Sequence, residues 1–140
     1  MSKTFIAWLI AAALIISAVA NDDSDAGRQK EARIDAATSV KVSVGFNVTP
    51  SRTIDDPDTV ARLVAFVNDR RRGWRTPLTG APVPVVTAVL YDGDKVIRKF
   101  GAGSDFFATG ELYLLSRPAD QDEVREFMEL VGVYVRQAGD

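Results

Sequence analysis

From residue 40 the chain alternates between apolar and polar positions: Val40, Val42, Val44, Phe46 and Val48 are separated by Lys41, Ser43, Gly45 and Asn47. A period of two sends successive side chains to opposite sides of an extended backbone. The pattern therefore predicts a strand over 40–48 that is apolar on one face and polar on the other. The period then changes. Val60, Leu63, Val64 and Val67 recur at three and four residues and align as one stripe of a helix over 57–71. Asp56 before Pro57 marks its start, because a carboxylate caps free N–H groups and a proline at the first helical position has no N–H to leave unpaired. Gly73 marks its stop.

Residues 83–91 are dense in β-branched side chains, Asp92-Gly93 is a hairpin turn, and 96–100 returns the chain antiparallel. Residues 105–108 and 111–115 read as two short strands about Thr109-Gly110. Asp120 and Glu123 form a capping box ahead of the stripe Val124, Phe127, Met128, Val131 and Val135, which predicts a final helix. Gly132 falls inside that helix and weakens it by about 1 kcal/mol relative to Ala. The element order is β-α-β-β-β-β-α. Helices with one apolar stripe need a flat partner, so the expected fold is α+β: a single antiparallel sheet of four to five strands with two helices packed on one face.

The start of the chain follows other rules. Met1-Ser2-Lys3 is a short positive segment, residues 5–19 are apolar except for Ser17, and Ala18-Val19-Ala20 carries small residues where a signal peptidase cuts. A signal peptide over 1–20 is expected, with an uncleaved N-terminal anchor as the alternative. The apolar run of about sixteen residues is shorter than the ~20 that span a bilayer core, which favours cleavage. Residues 21–39 are polar, with Ile34 the one large apolar side chain, and read as a linker. Residues 40–140 form the single α+β domain. The protein is thus expected to be exported, periplasmic or secreted, or held to the inner membrane by its N-terminus.

Composition narrows the chemistry. The chain has 17 Lys and Arg, 19 Asp and Glu, and neither His nor Cys. Imidazole- and thiolate-dependent catalysis, disulfides and ordinary zinc sites are therefore excluded. The element order resembles that of TBP-like folds, a group that includes small exported inhibitor domains. The segments TIDDPDTVARLVAFVNDRRRGW and VLYDGDKVIRKFGAG resemble small exported bacterial domains of unknown function. The resemblance implies the fold and export and supplies no catalytic residue.

The candidate contact residues are aromatic and basic. Phe106 and Phe107 are consecutive, so in a strand one of them faces away from the core and is available as an apolar anchor. Arg70, Arg71 and Arg72 with Trp74 and Arg75 form the densest basic cluster, suited to carboxylate or phosphate, and Arg71, Arg72, Arg75 and Trp74 are its candidate contacts. The same arginines also complement a helix C-terminus, and the Trp equally serves to seal the core. Arg62 to Lys99 holds eight basic and three acidic residues, while Asp105 to Asp140 holds three and eight. This asymmetry either orients a partner or joins elements internally. Asp55, Asp56 and Asp58, and likewise Asp92 and Asp94, have local capping or turn roles. Gly101-Ala102-Gly103-Ser104 lacks the Lys of a phosphate loop.

These readings lead to a non-enzymatic binding or accessory domain of the bacterial cell envelope, without cofactor or metal, contacting an envelope protein or polymer through the open sheet face and the loop from Gly101 to Gly110. Nucleic acid is not an expected partner, and a membrane is expected only through residues 1–20 if they are retained. A small hydrolase using Asp105 and Glu111, and a structural subunit that self-associates by a sheet edge, are the rival expectations.

Overall fold

A computed structural model describes residues 30–45, 50 and 52–133. The expected signal peptide, the start of the linker, the continuation of the first strand through Phe46 and Val48, and Val135 lie outside the described residues. Within them the elements are β1 (Ser39–Val44), β2 (Arg52–Ile54), α1 (Pro57–Asn68), β3 (Val86–Asp92), β4 (Lys95–Ala102), β5 (Phe106–Thr109), β6 (Leu115–Pro118) and α2 (Gln121–Val131). The fold is α+β, and its antiparallel sheet has six strands in the order β2-β1-β3-β4-β5-β6. The expected four to five strands are thus corrected upward. The addition is β2, which pairs with β1 through only three residues, Val40 to Ile54, Lys41 to Thr53 and Val42 to Arg52.

The local signals act as their chemistry requires. Asp56 accepts from the Thr59 N–H and hydroxyl at 3.0 and 2.7 Å, and those bonds hold its carboxyl below the usual range. At α2, Asp120 and Glu123 exchange side chain-to-backbone bonds of 2.8 and 3.1 Å, completing the capping box. Gly132 is not a weak point inside that helix but its end. It adopts φ 72°, and its N–H returns to Glu129 and Met128 carbonyls. A left-handed residue closes a helix in this way, and glycine adopts it without strain.

Both helices pack on one face of the sheet. Phe66 of α1 and Phe127 of α2 each meet Phe100 of β4 and Phe107 of β5, with ring centroids 5.3–6.1 Å apart. Trp74 closes the cluster against Phe100 at 5.9 Å. Antiparallel register partners share a face, so the inner face reads Val40, Val42, Ala88, Leu90, Phe100, Ala102 and Phe107. All are buried. Ile97 is the extra residue of a bulge on β4, where the register shifts between Leu90 and Tyr91.

Part of the expected linker is among the described residues. Residues 30–38 lie along the folded unit as a strap. Ile34 is buried, and its N–H and C=O bond the Asn68 side chain at 2.8 and 3.0 Å. Glu31 N–H donates to the Arg71 carbonyl at 2.7 Å, and Arg98 Nη2 donates to the Ala32 carbonyl at 2.7 Å. The carboxylate of Glu31 also faces Arg98 at 3.7 Å. Burial lowers the Arg98 pKa, and Glu31 opposes that shift.

Candidate functional site

The outer face of the sheet is the side that the helices leave uncovered. Register places Ser43, Thr87, Gly101, Ala108 and Ser116 in one row across it, and Thr53, Lys41, Val89 and Lys99 in the next. Two loops lie on this face. Arg75 pairs with Ser116 through both backbone bonds, each 2.9 Å, and so shares its outward side. From there residues 76–83 lead to Pro84, whose ring sits so close to Gly101 that a Cβ there would come within 2.7 Å of it. The second loop joins β5 to β6. Its turn is closed by Tyr113 N–H donating to the Gly110 carbonyl at 3.2 Å.

Tyr113 is the residue that the sequence patterns do not reveal. Its φ is 55°, a left-handed conformation that a bulky side chain adopts only at a cost. The turn spends this strain on placing the phenol over the sheet. There it lies half-buried in the neighbourhood of Thr87, Tyr91, Lys99 and Glu111, and burial raises its pKa. Beside it Lys41 Nζ stands 4.8 Å from the centroid of the Tyr91 ring. Lys99 Nζ pairs with Glu111 at 3.1 Å. The result is a platform of two phenols and two ammonium groups, drawn from three adjacent strands and the β5–β6 loop, suited to a flat or extended ligand with acceptor or anionic groups.

The residues expected to make contact separate into different settings. Phe106 does face outward and is half-buried; a Cβ at Gly103 would run into its ring, so the glycine makes room for it. Phe107 is fully buried in the aromatic cluster and is not a surface anchor. Trp74 is also core, with its indole N–H donating to the Arg70 carbonyl at 2.8 Å. Arg71 is turned toward the strap, where Nε donates to the Glu31 carbonyl at 2.9 Å. Arg72 is exposed, and its carbonyl accepts from Arg117 Nη1 at 3.1 Å. Of the basic cluster, Arg75 is the one that register places on the outer face. The cluster disperses because the chain turns at Gly73, where φ is 86°, and successive side chains leave in different directions.

Part of the charge asymmetry is internal. Arg70 stacks 3.6 Å above the Phe66 ring, and its Nε lies 3.3 Å from Glu123 Oε1 without hydrogen-bond geometry. Asp105 and Glu111 stand before and after β5, a strand of four residues that spans about 13 Å. They do not converge. A groove of about 500 Å³ between the strap and α1 is lined mainly by Ala36, Ala37, Val60, Ala61 and Val64 and brings together no catalytic set. Among the described residues no group of three or more carboxylates is arranged to hold a metal ion. Compared with protein-family models, curated proteins and solved structures, the chain matches none.

Proposed function

We propose that this protein is an exported, non-enzymatic binding domain of the bacterial cell envelope that meets its partner with the outer face of its sheet. The observation that supports this most is Tyr113. A left-handed tyrosine is costly, and here it brings a half-buried phenol near Tyr91 and Lys99 on the face that α1 and α2 leave uncovered. Phe106 and Arg75 extend the same face. Export rests on the sequence of residues 1–20. Among the described residues no helix is long and apolar enough to cross a membrane.

The two rivals draw less support. Hydrolysis by Asp105 and Glu111 needs carboxylates a few ångströms apart across a substrate, and these flank a strand. Edge-to-edge assembly needs free backbone; β6 is capped by Arg75, and β2 offers three residues.

A photo-crosslinking residue placed at Tyr91 tests the reading in cells that make the protein. Crosslinked polypeptide, glycan or lipid is expected from position 91 and not from Arg62, which is exposed on α1. Equal yields from both positions would overturn the assignment of the outer face.

A further inference from the structure

The two loops on the outer face carry more apolar surface than their role as connections needs. Leu78 is wholly exposed at 104%, Leu112 at 72%, Val83 at 61% and Leu114 at 52%. They are also neighbours. Pro84 of the first loop rests on Gly101, Tyr113 of the second lies near Thr87, and Gly101 and Thr87 are register partners on adjacent strands. Both loops therefore converge on one region of the sheet, and their aliphatic side chains stand outward from it.

The charges around this region have one predominant sign. Among the described residues, Lys41, Lys99 and Arg75 belong to the outer face, against Glu111. The opposite layer has the other sign: α2 exposes Asp122, Glu126 and Glu129 against Arg125. An anionic plane would thus turn the molecule sheet-first. A second copy laid face to face would oppose like charges.

We infer that the outer face docks on an anionic lipid bilayer, with Leu78, Val83, Leu112 and Leu114 entering the headgroup layer. Lys41, Lys99 and Arg75 meet the lipid phosphates, and Tyr91 and Tyr113 lie at the level where amphipathic rings sit. This inference rests on the outer face being the binding surface and adds the identity of what it binds. A bilayer fits better than a folded partner because the leucines are exposed on the two loops over the sheet. Protein hot spots need a complementary, well-packed hole, whereas a soft interface accepts protruding side chains of any arrangement. The attraction of basic residues to an anionic leaflet supplies the orientation.

The absence of Cys permits a position-specific test in the full chain. Leu112→Cys carries an environment-sensitive fluorophore and is mixed with vesicles of phosphatidylglycerol and phosphatidylcholine, or of phosphatidylcholine alone. A blue-shifted, brighter emission is expected on the anionic vesicles, with no change for the same label at Arg62→Cys. Replacing Lys41 and Arg75 by Gln should weaken partitioning about fivefold each. Because the readout is local, vesicle binding by residues 1–20 does not imitate it. An unchanged label at position 112 on vesicles that carry the protein down on sedimentation would overturn the inference. So would an equal shift on neutral vesicles, or a shift with soluble polyglutamate and none with lipid, which would identify an acidic polypeptide as the occupant. If position 112 is silent on lipid while Tyr91 still crosslinks to a polypeptide in cells, the outer face stands as the binding surface and the bilayer is removed. If both are silent, both readings fall.

Discussion

Two consecutive phenylalanines show how sharply environment divides one residue type. Phe107 is surrounded by Phe66, Phe100 and Phe127, whereas Phe106 has one side against Gly103 and the other toward solvent. Phe107→Ala should cost about 3–5 kcal/mol through lost burial and the cavity it leaves. Phe106→Ala should cost about 1 kcal/mol or less, and urea unfolding of the two variants checks the contrast. Tyr113 supplies a second expectation. Burial raises its pKa above the ordinary 10.0. The folded state thus prefers the neutral phenol, and that contribution to stability is fully present below about pH 10 and is lost as pH rises through the higher folded value. Tyr113→Phe should remove an absorbance change above pH 10 from the alkaline titration. Loss of the absorbance change at about pH 10 instead would place the phenol in water.

At the scale of elements, the strap is held mainly by polar bonds around one apolar anchor. Asn68 satisfies both backbone groups of Ile34, and Arg71 and Arg98 hold Glu31 and Ala32. Asn68→Ala leaves the Ile34 groups without their partner, at a cost of about 1–3 kcal/mol. Amides of residues 30–38 should then exchange with deuterium faster by one to two orders of magnitude while those of α2 keep their rates, as expected of local opening. Equal acceleration in both segments would mean that the strap unfolds only with the whole domain. This element also shows where the sequence is informative. Both helices, the β3–β4 hairpin and the two caps were legible because each is written in local periodicity and capping chemistry. The strap was not, since its partners are 34 to 66 residues away and its composition is that of a linker. The outer site was legible in the polar face of the first strand, with Lys41 and Ser43, and in Phe106 and Arg75, but not in Tyr113. Leu112 and Leu114 alternate as a strand would, yet they stand on a loop whose course is set by the left-handed turn at Tyr113. β2 is too short to carry a pattern.

At the scale of the whole molecule, what matters is where charge sits, because the total is nearly balanced at −2. In physiological salt the screening length is about 8 Å, and a helix layer packed on a sheet stands about 10 Å from it. The acids on the outer side of α2 lie beyond that distance from Lys41 and Arg75, so the two faces act on a partner almost independently. A compensation experiment separates this from a net-charge effect. Lys41→Gln with Arg75→Gln changes the total by −2, and Glu126→Lys returns +2 on the opposite layer. If net charge governed attraction to an anionic surface, the triple variant would bind as the unaltered protein does. The layered arrangement instead requires the triple variant to bind as weakly as the double one at 0.15 M salt, as measured by vesicle partitioning with the label at position 112. Lowering the salt to about 0.01 M extends screening to about 30 Å, beyond the thickness of the domain. Only then should Glu126→Lys recover part of the lost binding. Full recovery at physiological salt would show that the two faces are not electrically separate, and the sheet-first orientation would lose its cause.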